Sequence, residues 1–166
     1  AVQGLAAAAG LQLACSCDIV LASPRAAFQT PGVNIGLFCH TPAVPLLQTG
    51  APTKIVRDML LTGRALTSQE GLQYGLVSRV VGNPQKEAQK LAHQLAVDQS
   101  WTVVQMGKRV LLQQEEEVAS ADEQYDELNR AYNVATQAMV ENMELWDAKH
   151  GISAFLQKEK PQWKNQ

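Results

Sequence analysis

Apolar residues are spaced in two ways along this chain. In roughly the first quarter they come in short runs broken by Gly, Pro and Ser; from Pro52 onward they recur every three or four positions. Short runs between turn residues predict buried strands, and the longer recurrence predicts helices with one apolar face. Residues 1–3 read as the end of a buried strand. Residues 18–22 and 27–29 read as two more, closed by Ser23-Pro24 and Thr30-Pro31-Gly32. Between the first two of these strands, residues 7–15 are rich in Ala and Leu and predict a short helix. Residues 33–40 hold Gly36 and have no period, so they predict a loop, the kind of segment that carries function.

Thr41-Pro42 has the form of an N-cap followed by Pro at the first helical position, with Pro45 early enough to be tolerated. Ile55, Met59 and Leu60 share a helix face that ends at Gly63. Thr67 or Ser68 caps a short helix to Tyr74, with Glu70 in its first turn and Gly75 as its stop. Residues 76–81 alternate as a strand, and Asn83-Pro84 signals another cap. Ala88, Leu91, Ala92, Leu95 and Ala96 form an amphipathic stripe, and Ser100 caps a helix bearing Val103, Val104, Val110 and Leu111. Residues 119–145 are the longest helical stretch, with Leu128, Tyr132, Ala135, Met139 and Met143 as a core stripe or a subunit contact. Residues 151–155 restart a helix, and Lys158-Glu159-Lys160-Pro161 ends the ordered part.

The composition fits a folded domain. Of 166 residues, 46% are hydrophobic and 18% charged, which excludes a disordered chain. A net charge of −2 with scattered Lys and Arg excludes a nucleic-acid groove. Glu115-Glu116-Glu117 reads as a solvated linker between helices. No apolar run reaches membrane-spanning length. Cys15, Cys17 and Cys39 cannot all pair, and Cys15-x-Cys17 lacks a second pair at metal spacing, so reduced structural thiols and no metal are expected. The chain opens on Ala1 inside an apolar segment without a targeting pattern, and we read it as the C-terminal part of a longer protein.

Candidate chemistry lies in the opening segment. A run of small residues from Gly4 to Gly10 leads into Leu11-Gln12-Leu13. Small side chains let a ligand approach the backbone. A helix starting there presents unpaired N–H groups to negative charge developing on oxygen. That is half of an oxyanion hole, and no carboxylate lies in the first turns to act as acid or base.

The pattern Gln3-Gly4-x-Ala6-x-x-x-Gly10-x-x-Leu13-Ala14-x-x-Cys17-Asp18 resembles the signature of the enoyl-CoA hydratase/isomerase (crotonase) superfamily. The likeness continues through Phe28-x-x-Pro31, Gly36-Leu37, Leu61-Thr62-Gly63, Ala65 to Glu70 and Gly75-Leu76-Val77. It closes at residues 151–160, so it runs the length of the chain. It implies an α/β fold, a spiral of ββα turns with a C-terminal helical trimerisation region. Residues 1–82 would be the last part of the spiral core and 83–166 the trimerisation region. It also implies an acyl-CoA thioester as substrate or ligand, no tightly bound cofactor, and a homotrimer or dimer of trimers. The branch it looks most like is mitochondrial.

Carried over by position, the resemblance puts an oxyanion N–H on Ala9, between Ala8 and Gly10; its companion amide lies upstream of Ala1. The two glutamates of the hydratases fall on Gln12 and Gly32, and neither residue can move a proton. Hydration needs both a base and an acid, each worth roughly 10²–10⁴-fold, so hydratase activity is expected to be weak or absent. Asp18 is expected to be a structural acceptor. His40, beside Cys39, falls where some isomerase branches carry a carboxylate, and is either a proton carrier or pocket wall. As a nucleophile–base pair, Cys39 and His40 suffer from pointing to opposite faces if the segment is extended. Phe155 and Lys158 fall where the family reaches a neighbouring subunit's CoA site.

The expected function is an acyl-CoA-binding family member of fatty-acid metabolism lacking both acid–base side chains. One alternative is an active isomerase, hydratase or thioester hydrolase using His40 or upstream residues. The other is a non-catalytic partner subunit.

Overall fold

A computed structural model describes residues 1–120 and 124–165, with side-chain detail at 1–116 and 133–165. It divides into two units, Ala1–Lys90 and Leu91–Gln166.

The first unit is built on two small sheets. Strand β1 (Leu5–Ala7) runs parallel to β3 (Ala27–Gln29), which pairs antiparallel with β4 (Ala65–Thr67). Strand β2 (Leu21–Ala22) runs parallel to β5 (Arg79–Val80). A parallel pair needs a crossover, and helix α1 (Ala9–Cys15) lies in the connection from β1 to β3. A 3₁₀ turn (Pro31–Ile35), α2 (His40–Gln48), α3 (Thr53–Thr62) and α4 (Ser68–Gln73) complete the layer. Leu11, Phe28, Leu46, Val56, Met59 and Leu66 are fully buried, so α1, β3, α2, α3 and β4 contribute to one core.

The strand at 27–29 and the helices ending at Gly63 and Gly75 match the sequence pattern; both glycines take positive φ, at 69° and 82°. The other strands are shorter or shifted. Residues 1–3 form one bridge, Val2 to Ala22, and the true strand is 5–7, because that segment faces residues 27–29. Asp18 and Ile19 are exposed, leaving only 21–22 paired. The amides of Leu76 and Val77 bond back to the Gly71 carbonyl, which reduces the 76–81 strand to two residues. Helix α2 starts at His40, so Thr41 is not its N-cap.

Helix α5 (Pro84–His93), capped by the Asn83 side chain, runs into a π-helical turn (Gln94–Asp98). Its apolar stripe is not core: Ala88, Leu91 and Leu95 are half-buried, Ala92 and Ala96 exposed. The second unit contains α6 (Trp101–Ser120), α7 (Gln124–Glu144) and α8 (Trp146–Gln157), with α6 packed on α7. The acidic triplet is inside α6 and makes no linker. Glu and Gln favour helix, so three consecutive glutamates do not end it. The side chains of Leu128 and Tyr132 lie outside the described residues; Ala135 is half-buried, and Met139 and Met143 are exposed.

Order continues past Lys158, which caps α8 at φ 57°. The buried Asp147 carboxylate accepts the Ser100 hydroxyl and the Lys164 and Asn165 amides. Trp163 donates to the Asp98 carbonyl at 2.8 Å, and Lys164 Nζ stands 4.1 Å from the centroid of the Trp146 ring. The expectation that order ends near Pro161 fails because these polar groups hold the tail down.

Candidate functional site

The first unit contains a cavity of about 610 Å³ between the start of α1 and residues 31–42. Ala8 and Ala9 form one wall; Pro31, Gly32, Asn34, Ile35 and 37–42 form the rest. Strand pairing positions both sides. The Ala8 amide donates to the Gln29 carbonyl at 3.0 Å, which ties the end of β1 to the strand that feeds the 3₁₀ turn. At the base of that turn, buried Thr30 donates to the Met59 carbonyl at 2.7 Å.

Ala8 takes φ 48° and ψ −115°, a conformation that favours glycine. The first bond of α1 runs from the Gln12 amide to the Ala8 carbonyl at 3.0 Å. The Ala9, Gly10 and Leu11 amides stand ahead of it, with no helical carbonyl to accept them. Gly10 has open space where a Cβ would lie, so no neighbour among the described residues requires glycine there.

Residues 31–39 fold back on themselves. The Leu37 amide donates to the Gly32 carbonyl at 2.9 Å, and the Gly32 amide donates to Cys39 Sγ at 3.4 Å. A Cβ added to Gly32 would stand 2.6 Å from the Leu37 carbonyl oxygen and 2.9 Å from that sulfur. Neither contact is tolerated without movement, and the first involves backbone. Cys39 is the N-cap of α2 and His40 its first residue, so both enter the same wall. The argument from an extended segment, which separates these two side chains, does not hold. The His40 ring sits edge-on to Phe38 with centroids 5.1 Å apart.

The cavity thus gathers Ala8, Ala9, Gly32, Cys39 and His40. Gln12, half-buried one turn along α1, is outside its lining, as is Gly10. Phe155 and Lys158 belong to the second unit, both exposed. Pattern reasoning missed Pro31, Asn34, Ile35, Leu37, Phe38, Thr41 and Pro42 individually, although the lack of period over 33–40 marked most of that segment. Among the described residues no group of His, Cys, Asp and Glu is placed to hold a metal. Burial, the larger cause, pushes the Cys15 thiol up to about 11, so it stays protonated and inert at neutral pH.

The enoyl-CoA hydratase/isomerase family matches residues 1–166. The mitochondrial enoyl-CoA hydratase domain-containing protein 3 of Rattus norvegicus is 45% identical over 164 residues, covering 98% of this chain and 51% of that protein. Carnitinyl-CoA dehydratase of Proteus mirabilis is 32% identical over 166 residues, 99% of this chain and 61% of the enzyme. The crystal structure of human enoyl Coenzyme A hydratase domain-containing protein 3 superposes with a TM-score of 0.85 at 45% identity, covering 96% of this chain and 60% of that one. That of an enoyl-CoA hydratase from Mycobacterium smegmatis gives 0.84 at 34% identity, 97% and 59%. The chain spans about half the length of the domain-containing protein 3 relatives. With the profile matched end to end and the fold shared with solved members, this chain belongs to the enoyl-CoA hydratase/isomerase family and has the crotonase fold.

Proposed function

We propose that this chain carries the acyl-CoA-binding cavity of a mitochondrial protein of fatty-acid metabolism that is weak or inactive as a hydratase. The observation that supports this most is the closed space at Gly32. The family's second glutamate falls there, and the Leu37 carbonyl and Cys39 thiol stand where its Cβ would begin. Gln12, at the other glutamate position, has an amide with no proton to give or take.

Binding needs neither carboxylate. A thioester oxygen at the start of α1 meets the Ala9 amide, with a second amide contributed from upstream of Ala1. Each such donor is worth roughly 3 kcal/mol towards negative charge on that oxygen. Ala8 flanks the oxygen, Gly10 follows along α1 outside the cavity lining, and Cys39 faces the acyl group. Phe155 and Lys158 would meet the CoA moiety of an adjacent subunit in a homotrimer or dimer of trimers.

One observation favours a second reading. His40 lines the cavity, so proton transfer for isomerisation or thioester hydrolysis has a candidate carrier. Loss of enoyl absorbance with a short 2-enoyl-CoA tests the first reading. Turnover close to that of ordinary hydratases overturns it. Where no turnover occurs, heat on titration with acyl-CoA supports binding, and silence at every chain length leaves only a partner-subunit role.

A further inference from the structure

The cavity wall is not uniform in depth. Of its lining residues, Cys39 and Pro42 are buried, while Ile35, Leu37 and Phe38 are 76%, 63% and 42% exposed. Cys39 and Pro42 are thus the buried part of the wall, and Ile35, Leu37 and Phe38 its exposed apolar part. In the buried part the thiol accepts the Gly32 amide and stands 2.9 Å from where a Cβ at 32 would lie. A side chain at 32 and a thiol at 39 compete for one volume.

We infer that Gly32 and Cys39 form an interlocked pair that sets the depth of this cavity, and with it the length of acyl chain the cavity accepts. The inference rests on the acyl-thioester reading above. Its physical content is a fixed stop. The sulfur accepts the Gly32 N–H, and its one-bond side chain on the backbone that begins α2 has less reach to swing aside than a long side chain would. An apolar chain entering past Leu37 and Phe38 gains from every methylene it buries until it reaches the sulfur, and loses with the next one. Cys39 is thus a specificity-determining residue.

The test is calorimetric titration with straight-chain saturated acyl-CoA thioesters of increasing length. Cys39→Ala should deepen the cavity, raising affinity for the first homologue beyond the parent's optimum about fourfold relative to the optimum itself, the worth of one buried methylene. Cys39→Val should move the optimum the other way. The readout is a ratio between two ligands on one variant, so a general loss of stability does not imitate it. Identical length profiles in the parent and both variants overturn the inference and leave the acyl-thioester reading standing. No binding of any homologue by the parent removes that reading, and this inference with it. Should neither variant fold, alkylation of the parent decides. Bound long-chain acyl-CoA should slow modification of Cys39 at least several-fold while exposed Cys17 reacts at its own rate. Equal slowing by short and long homologues overturns the assignment.

Discussion

Two residues hold conformations or spaces at odds with their neighbours. Ala8 has a Cβ at φ 48°, where backbone strain amounts to about 1–3 kcal/mol. Glycine relieves that strain and loses about 0.5–1 kcal/mol of chain entropy. Ala8→Gly should therefore stabilise the fold by roughly 1 kcal/mol, read from the urea midpoint. Gly32 is the reverse case. Gly32→Ala places a methyl 2.6 Å from the Leu37 oxygen and should destabilise by about 1–3 kcal/mol in the same measurement. The same contact bears on placing carboxylates at positions 12 and 32. Gln12→Glu with Gly32→Glu should give no hydratase turnover, because the second side chain has no room; enoyl-CoA hydration by that double variant would refute the closed geometry.

Helix ends carry the next predictions. Thr67 and Glu70 make a reciprocal capping box at the start of α4, and Arg64 bonds both Asp58 and Glu70 at 2.7 Å. The Thr67 amide, then the Arg64 guanidinium and the Thr67 hydroxyl, lower the Glu70 carboxyl to about 2. A depressed folded value means the unfolded state binds the proton more readily. This contribution is whole above about pH 4.5, the ordinary value, and is lost as pH falls towards 2. Thr67→Ala should cost about 1 kcal/mol at neutral pH, and the difference in thermal midpoint from the parent should shrink across that window. This element was legible in advance because a capping box is local: its partners are three residues apart. The strands were less so. Residues 18–22 and 76–81 have β pattern throughout, yet only two residues of each pair as strand, and pairing across the chain is invisible in either segment alone.

At the scale of the molecule, Asp147 ties the tail to the starts of α6 and α8. Burial raises its pKa, but bonds from Ser100, Lys164 and Asn165 and the nearby His150 outweigh this and hold it below the ordinary range. Its contribution to stability is thus present above the ordinary carboxylate range and falls away in acid. All three tryptophans, Trp101, Trp146 and Trp163, lie in this second unit, so tryptophan fluorescence reports on it. Asp147→Ala leaves the Ser100 hydroxyl and two amides without their acceptor and should lower the fluorescence-detected urea midpoint by the equivalent of about 3 kcal/mol. An unchanged midpoint would show that the tail contributes nothing to the unit.

By itself the sequence determined the family, the helical character of the second half, the stops at Gly63 and Gly75, a cap at Thr67 or Ser68, and the absence of carboxylates at positions 12 and 32. These depend on residue type and on spacing within a few positions, which a chain carries before it folds. Only the tertiary structure decided that Gly32 is closed by Leu37 and Cys39, that Cys39 and His40 share a wall, that Gln12 stands outside it, and that the tail returns to Asp147. Each of those depends on where the backbone turns back, and a backbone turn is settled by the sum of distant contacts that no local pattern contains.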